Sequence, residues 1–338
     1  MGKSLVTGID IGHHSIKAVV LKPVSGSYVL VGYNELPITE DIFFDNHTLN
    51  YQKIVKKLKE LRKGLPLFSH KVAVSVPDNA VISKVLQIDS SLDVREKEFA
   101  IYQAFSHQSP FPMQELSLDF VKVAEKKHSW GPTEHYQVYA IRKEVVDCRV
   151  LAMQKAGFTP INIDMQAHSL LHIWQLASQT NQCNDWLLMD VGYTQITLCI
   201  DFSDKAPFHK TIALGCQWLE QNSDAHGANA KPVDNAERFI DQLIERLQRQ
   251  IQLFTSINGA GRLSGVWLCG GGASTPKLAT EITYRLNLQC EILNPFSLFD
   301  LQASPKKGML TEGARFSTAA GIALRGIEWW ENRHVAAY

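Results

Sequence analysis

Two parts of the chain repeat one pattern of apolar runs and polar turns. In each part, a run that ends in Asp-x-Gly is followed by two further apolar runs, each after a short polar turn. The runs lie at residues 5–12, 16–21 and 28–33 in the first part and at 186–192, 196–200 and 208–214 in the second. Short apolar runs bounded by turn residues are typical of hairpin strands. The repeat predicts two similar lobes, each of which begins with three strands.

The stretch between the two copies predicts further helices and strands. Residues 51–63 place Ile54, Leu58 and Leu61 on one face of a helix, and residues 71–76 have the pattern of a buried strand. Strand and helix patterns alternate from residue 84 to 160, and we interpret this stretch as an inserted α+β subdomain. The predicted division is residues 1–83 and 161–183 with a C-terminal helix at 319–334 for the first lobe, and 184–318 with a helical part at about 215–258 for the second. The fold class is therefore predicted to be α/β.

The composition is that of a globular protein without a charge bias. Of the 338 residues, 45% are hydrophobic and 20% are charged, and 34 Lys and Arg residues balance 34 Asp and Glu residues. Nucleic-acid binders usually carry a basic excess, so we expect no nucleic acid as a partner. The 6 cysteines lack metal-binding spacing, which favours reduced thiols. The first residues do not resemble a signal peptide and the apolar runs are too short to span a bilayer, so we expect a cytoplasmic protein.

The first Asp-x-Gly turn has the residues of a phosphate site. Gly12 lets backbone N–H groups approach an oxyanion closely, and Ser15 and Lys17 add a hydroxyl and a mobile positive charge. Asp10 could hold Mg²⁺ through water, because magnesium keeps most of its hydration shell. His13 and His14 lie inside the turn, where they either contact phosphate or are simply solvated. Taken alone, the motif is better explained as an ordinary hairpin turn, because Asp and Gly are common in turns of every kind.

Two later segments complete the pattern. Asp190, Gly192, Tyr193 and Thr194 form a second turn with the same parts but without the lysine, and Asp190 is a second candidate for Mg²⁺ through water. Residues Gly270, Gly271 and Gly272 follow a strand pattern and precede a helix, where a base or sugar could lie against the backbone. Three such elements in this order indicate one nucleotide-binding site.

Other motifs are weaker. The chain has no P-loop, and a Rossmann interpretation of the Gly270 turn with Glu291 as the ribose ligand leaves both Asp-x-Gly turns unexplained. His168 and His172 have the spacing of a metal pair, but no glutamate lies between them, and we favour a helix-surface pair. The lysine-rich helix at 51–63 could touch acidic lipid head groups, but the solvated face of an amphipathic helix is the simpler interpretation.

The order of these turns resembles the phosphate-1, phosphate-2 and adenosine motifs of the actin and hexokinase superfamily. More narrowly, the chain is similar to the PilM family of type IV pilus assembly and to its cell-division relative FtsA, over about residues 5–328. The segments that carry this resemblance are Gly8-Ile9-Asp10-Ile11, Pro110-Phe111-Pro112, Asn294-Pro295-Phe296 and Ala319-Ala320-Gly321-Ile322-Ala323-Leu324.

The resemblance implies an actin-like, two-lobed fold with an FtsA-type insertion that binds ATP and Mg²⁺ between the lobes. It adds Arg249 to the nucleotide contacts. It also implies a scaffold at the inner membrane, which recruits the cytoplasmic N-terminal segment of a PilN-like membrane protein. Through PilN the scaffold would be connected to PilO and PilP. The resemblance also allows self-association of the chain. His13, His14 and Tyr193 are bulkier than the residues usual in these turns, so we expect weak or no ATPase activity.

Two other functions stay open at this stage. A small-molecule kinase would use the same cleft and would need a carboxylate base near the substrate hydroxyl, for which Asp164 is the candidate. An FtsA-like membrane tether would need an amphipathic helix after a linker, and the short sequence after Trp330 makes this the least favoured function.

Overall fold

The structure of the protein is a computed structural model. Three separate β-sheets form its framework. The structure describes residues 4–39, 41–45, 47–123, 133–202, 206–223, 235–258, 263–301 and 312–335, apart from the side chains of 257, 258 and 333–335. The strands are β1 (Val6–Ile11), β2 (Ser15–Val24), β3 (Ser27–Pro37), β4 (Lys71–Val76), β5 (Val81–Asp89), β6 (Leu116–Lys122), β7 (Thr133–Arg142), β8 (Thr159–Met165), β9 (Trp186–Val191), β10 (Ile196–Ile200), β11 (Phe208–Ile212), β12 (Gly265–Cys269), β13 (Gln289–Ile292) and β14 (Asp300–Leu301). The α-helices are α1 (Tyr51–Lys63), α2 (Val94–Ser106), α3 (Lys143–Lys155), α4 (Gln166–Asn181), α5 (Gln217–Ser223), α6 (Asn235–Asn258), α7 (Leu278–Leu286) and α8 (Ser317–Val335).

The two larger sheets share one topology. In the six-stranded sheet the order is β14-β3-β2-β1-β4-β8, and in the five-stranded sheet it is β11-β10-β9-β12-β13. Each sheet begins with three antiparallel strands, and two parallel strands then extend it from the first strand. The predicted repeat is confirmed, because the two hairpin units occupy equivalent places in the two sheets.

The third sheet lies within the predicted insertion. Its order is β5-β7-β6, with both pairs antiparallel. Helix α2 covers one face of this sheet through the buried Ile101 and Phe105. Asp93 and Glu96 form a capping box that begins α2, which satisfies backbone N–H groups that the helix itself leaves without partners.

Helix α8 packs closely between elements of the first lobe. A Cβ atom on Gly8 of β1 would lie 2.0 Å from the Ala319 carbonyl oxygen, and one on Gly321 would lie 2.0 Å from the Ser169 carbonyl oxygen. Only glycine allows backbones to approach this closely. The helix therefore joins β1 to α4 directly beneath the site described next. None of the helices described is long and apolar enough to cross a membrane.

Candidate functional site

A cavity of about 640 Å³ separates the two lobes, and we call it the central cleft. Residues from both hairpin turns and from the glycine-rich segment line it. The predicted site residues that line the cleft are Asp10, Gly12, His13, His14, Lys17, Asp190, Gly192, Tyr193, Thr194, Gly270, Gly271 and Gly272. The fold thus brings three segments that are far apart in the sequence to one cavity.

The two Asp-x-Gly turns have the same backbone geometry. The Gly12 N–H donates to the Ser15 carbonyl oxygen at 3.2 Å, and the Gly192 N–H donates to the Gln195 carbonyl oxygen at 3.0 Å. In both units the aspartate is the next-to-last residue of the first strand, Asp10 in β1 and Asp190 in β9. Because both turns line the central cleft, their equivalent faces point to a common space from opposite lobes.

Asp10 is held in place from two elements. Its Oδ1 accepts a hydrogen bond from Ser75 Oγ at 3.1 Å and another from Gln166 Nε2 at 3.2 Å. The side chain is 8% exposed and lines the cleft. Strands β1 and β4 and the start of α4 therefore fix the direction of this carboxylate.

Asp190 is the electrostatic counterpart of Asp10 in the second lobe. Burial and, next, the negative charge of Asp10 raise the pKa of Asp190 to about 6, although Lys17 acts in the opposite direction. Cys269 Sγ lies 3.7 Å from Asp190 Oδ1. An aspartate whose ionisation is opposed by a second carboxylate suits a site for a hydrated divalent cation, since Mg²⁺ binds through few carboxylates and several waters. Among the described residues, no group of three or more His, Cys, Asp or Glu side chains is placed to hold a metal ion.

Lys17 is part of a network that the sequence did not reveal. Its Nζ donates to Ser15 Oγ at 2.6 Å and lies 3.7 Å from Glu35 Oε1. Ser15 Oγ donates to the same Glu35 oxygen at 2.7 Å, and Arg315 Nη1 lies 3.1 Å from Glu35 Oε2. Burial alone would raise the pKa of Glu35, but the hydrogen bond from Ser15 and the charges of Lys17 and Arg315 outweigh it and lower the pKa. Ser15 itself is buried behind the cleft and does not line it.

The glycine-rich segment approaches the second turn closely. Gly270 has φ of 84°, and a Cβ there would lie 2.2 Å from Asp190 Oδ1. A Cβ on Gly272 would lie 2.4 Å from Val191 Cγ1, whereas one on Gly271 would have no neighbour within 4 Å. The first and third glycines thus pack against β9, and the middle one leaves an open surface on the cleft.

Aromatic residues narrow one end of the cleft. His13 stacks on Phe43 with ring centroids 4.1 Å apart, and burial lowers the pKa of His13. His14 lies 5.3 Å from the ring of Tyr193, so residues of the two turns meet across the cleft. The Tyr193 hydroxyl donates to Glu220 Oε2 at 2.6 Å, and this bond and burial raise the pKa of Tyr193 to about 12. The phenol is therefore a neutral, fixed group at this end of the cleft.

Besides Ser15, two predicted residues lie outside the lining of the cleft. Arg249 is exposed on α6 and pairs with Glu245 at 2.5 Å. Asp164 lies outside the cleft lining, where Arg325 Nε is 2.5 Å from its Oδ2 and His168 Nδ1 is 3.0 Å from its Oδ1. The geometry therefore offers no support for Arg249 as a nucleotide contact or for Asp164 as a base in the cleft, and both stay predictions from sequence.

Several polar residues that line the cleft were missed in the sequence, among them Glu35, Gln166 and Arg315. Glu35 lies opposite Lys17 in the β2–β3 register, but the third strand was predicted to end at residue 33 whereas β3 continues to Pro37. Gln166 begins α4 directly after the segment that contains Asp164. The longer strand and the polar helix start were the available signals for these two residues. Arg315 gave no local signal, because its partner Glu35 is far away in the sequence.

Comparison with known protein families shows to which family this chain belongs. The model of a family described as "Type IV pilus assembly protein PilM" matches residues 8–327, almost the whole length of the chain. The chain belongs to the PilM family. The resemblance inferred from the three turns is thereby confirmed, and this PilM-family chain is one of the proteins of type IV pilus assembly.

Solved structures agree on the fold. The PilM-PilN type IV pilus biogenesis complex contains a chain with 21% identity and a TM-score of 0.77, and the match covers 95% of this chain and 98% of that one. The ethanolamine utilization protein EutJ from Carboxydothermus hydrogenoformans has 11% identity and a TM-score of 0.51, with 96% and 90% covered. Nucleotide-free diol dehydratase-reactivating factor has 9% identity and a TM-score of 0.51, with 96% and 100% covered. These likenesses confirm the predicted actin-like α/β fold.

Proposed function

We propose that this PilM-family chain binds ATP with Mg²⁺ in the central cleft and acts as a scaffold for a PilN-like membrane protein. The observation that carries the nucleotide part is the pair of equivalent turns facing one cavity. Each turn follows a strand that carries an aspartate near its end, and the aspartate and the glycine of the turn both line the cleft. Such turns are suited to phosphate oxygens because several N–H dipoles converge on one anion.

Different residues of the cleft are expected to contact different parts of the nucleotide. Lys17 supplies a positive charge for phosphate oxygens, and the surface at Gly271 accommodates the nucleoside. Asp10 and Asp190 would hold Mg²⁺ through water. When bound, the ion neutralises phosphate charge. His14 and Tyr193 narrow one end of the cleft, so we expect turnover well below the ordinary enzyme range, which begins at about 1 s⁻¹.

Calorimetric titration with Mg-ATP tests the nucleotide site. Asp10→Ala and Lys17→Ala should each weaken binding by about 1–3 kcal/mol, the usual loss for a charge-assisted contact. Lys22→Ala is the matched control, because Lys22 lies on the same strand but is exposed outside the cleft. Unchanged ATP affinity in both cleft variants would refute the site. Turnover near 1 s⁻¹ or faster would favour the kinase function instead.

For the partner, we propose a groove between the first lobe and the insertion. The face of the three-stranded sheet that α2 leaves uncovered contacts the first lobe where Tyr139 meets His168, with ring centroids 5.2 Å apart. In the next row on this face, Val85 and Val121 lie on either side of Gln137 and remain 56% and 55% exposed. β5 and β6 are edge strands of their sheet, so each can accept an extended peptide by main-chain pairing.

Asp164 lies in the polar wall of this proposed groove. Burial alone would raise its pKa, but the hydrogen bond with His168 and the charge of Arg325 hold the pKa below its usual value. Glu328 extends the network, since its Oε2 lies 2.9 Å from Arg325 Nη1 and 3.0 Å from His172 Nε2. We infer that Asp164 acts here as a positioning residue that links β8, α4 and α8.

The expected occupant is a short apolar N-terminal segment of a PilN-like protein. The solved relative is a PilM-PilN complex, which supports this class of partner. Through such a partner the chain would be held at the inner membrane and connected to PilO and PilP. We also propose that the chain self-associates, which a measurement of its molecular mass in solution would test.

Two measurements test the groove. Amide hydrogen exchange with a synthetic N-terminal peptide of a PilN-like protein should show protection in β5, β7 and the start of α4, and protection confined to α6 would contradict the location. Val85→Asp and Val121→Asp should each lower the affinity for the peptide by about tenfold or more, because the bound peptide would bury a carboxylate without a partner. Val94→Asp is the matched control, since Val94 is 84% exposed on α2, on the other side of the sheet.

A further inference from the structure

The turn after α1 presents two large apolar side chains to solvent. Leu67 is 82% exposed and its neighbour Phe68 is 83% exposed. Phe68 has φ of 67°, a backbone conformation that residues with a side chain rarely adopt. Folding thus holds Phe68 in an unfavourable conformation without burying its ring. An outlier of this kind points to a role outside the folding of the chain.

The turn is anchored on both sides of this apolar pair. Ser69 Oγ donates to the Pro66 carbonyl oxygen at 2.6 Å, and Thr7 Oγ1 donates to the Ser69 carbonyl oxygen at 2.9 Å. Pro66 packs against Gly32, where a Cβ would lie 2.6 Å from Pro66 Cγ. These contacts fix the backbone of the turn, so the two apolar side chains stay presented at the surface.

A basic concave surface lies next to the turn. It encloses about 520 Å³ between the C-terminal ends of α1 and α3 and is lined by Lys59, Arg62, Lys63 and Lys155. Arg62 Nη1 donates to the Ala156 carbonyl oxygen at 3.3 Å, which joins the two helix ends. In the part of the chain that the structure describes, no carboxylate pairs with the three lysines.

The apolar pair lies close to the basic surface, because the His70 carbonyl oxygen, two residues after Phe68, accepts a hydrogen bond from the Thr159 N–H at 2.7 Å, two residues after Gly157 of that surface. We call Lys59, Lys63, Leu67, Phe68 and Lys155 the docking face. Lys63 ends α1 and the apolar pair follows it within five residues. The chain as a whole has no net charge, so the basic excess here is local. Apolar side chains beside several lysines match an anionic lipid surface, where the rings and alkyl groups enter the interface and the cations meet phosphates.

We propose that the docking face binds directly to the surface of an anionic phospholipid bilayer. Leu67 and Phe68 enter the head-group region, and Lys59, Lys63 and Lys155 lie over lipid phosphates. The solvated helix face favoured from sequence alone does not explain why a strained turn exposes a leucine and a phenylalanine. The contact goes beyond recruitment by a membrane protein, because it supplies a second attachment that raises the effective concentration of the chain at the membrane.

Co-sedimentation of the full chain with phospholipid vesicles tests the proposal. The chain should bind vesicles that contain phosphatidylglycerol and not vesicles of phosphatidylcholine alone, and added salt should weaken binding by screening the lysines. Leu67→Ser with Phe68→Ser should lower the partition coefficient by about tenfold or more, because the inserted apolar area is lost. Tyr284→Ser is the matched control, since Tyr284 is 85% exposed on α7 of the second lobe.

Charge is tested separately from apolar area. Lys59→Gln with Lys63→Gln should reduce binding to phosphatidylglycerol vesicles by about tenfold or more. Lys22→Gln with Lys210→Gln removes the same charge from exposed positions elsewhere and should leave binding unchanged. Equal losses in the two double variants would show a general effect of net charge and would overturn the docking face.

Phe68→Gly separates a membrane role from a structural one. Glycine adopts a positive φ without strain, so the variant should unfold at the same or a higher temperature while its vesicle binding falls. Lower thermal stability together with unchanged vesicle binding would overturn the proposal. A dimer in sedimentation velocity without lipid that disappears in the Leu67→Ser and Phe68→Ser variant would assign the surface to a second copy of the chain instead. Binding to soluble polyaspartate as tight as to vesicles, without dependence on the apolar pair, would assign it to an acidic protein segment.

Discussion

Glu35→Gln should make nucleotide binding tighter and the ligand-free protein less stable. In the structure the Glu35 carboxylate receives hydrogen bonds from Ser15 and Arg315 and lies 3.7 Å from Lys17 Nζ. The substitution keeps the shape of the side chain and an oxygen acceptor but removes the charge. Lys17 and Arg315 then no longer face a carboxylate, and the phosphates of the ligand no longer compete with Glu35 for these two positive charges.

The magnitude follows from the distance and the burial. At an effective dielectric constant of about 20, two unit charges at such a separation attract by about 4 kcal/mol. Water competes at this site, because the Lys17 and Glu35 side chains are 13% and 23% exposed, and a charge-assisted contact retains roughly 1–2 kcal/mol. A gain of that size in ATP binding is a five- to thirtyfold lower Kd, by the relation of about 1.4 kcal/mol per tenfold. We expect a similar loss in the free energy of unfolding without ligand.

Paired calorimetry and chemical denaturation measure the two effects on the same samples. Glu291→Gln is the control, since Glu291 is exposed on β13 outside the cleft and the change in net charge is identical. Weaker ATP binding in Glu35→Gln would refute the reasoning, because it would mean that Glu35 orients Lys17 for the ligand rather than competing with it. An equal gain in both variants would mean that net charge alone sets the affinity.

Two further predictions concern stability. Burial raises the pKa of Asp78 to about 6, above its usual 3.8, so the folded state holds this proton more tightly and the protein loses stability as pH rises from about 4 to 6.5. Asp78→Asn should remove about 2 kcal/mol of the difference in unfolding free energy between about pH 4.5 and 7.5, and an unchanged pH profile by denaturant titration would contradict this. Gly8→Ala should cost about 3 kcal/mol in the same assay, because its Cβ would lie 2.0 Å from a backbone oxygen of α8, whereas Gly271→Ala, with open space around it, should be neutral.

Local patterns explain how much of the fold could be predicted from the sequence. The two hairpin units depend on neighbouring runs and on turn residues such as Gly12 and Gly192, which act within a few positions of each other. Their likeness then predicted the duplicated topology that β1 and β9 display. The domain boundaries stay predictions, since they depend on how packing divides the chain.

The charged network of the cleft could not be predicted in the same way. Glu35 meets Lys17 only if the register of β2 and β3 is known, and that register shifts at Val20 and Leu21 through a bulge-like irregularity. One residue of slip in a strand turns its side chains to the other face, so a pattern without register leaves the partner undefined. Arg315 reaches Glu35 because α8 and the turn before it return to the first lobe, which is a property of the tertiary structure.

The duplicated turns differ in the row of residues beneath them, and this difference assigns unequal roles to the two lobes. In the first lobe the row across the hairpin is Asp10, Lys17 and Glu35, whereas the equivalent row in the second lobe is Asp190, Thr197 and Thr211. In this row the first lobe therefore carries a cation of its own, whereas the second lobe has the neutral hydroxyls of Thr197 and Thr211. Burial and the charge of Asp10 raise the pKa of Asp190. A bound cation would therefore stabilise the ionised form of Asp190 more than that of Glu35, which already has Lys17 and Arg315 beside it. In the proposed complex, Asp190 would hold Mg²⁺ through water, and the ion would supply the positive charge that the second lobe lacks in this row, while Lys17 would meet the phosphates from the first lobe.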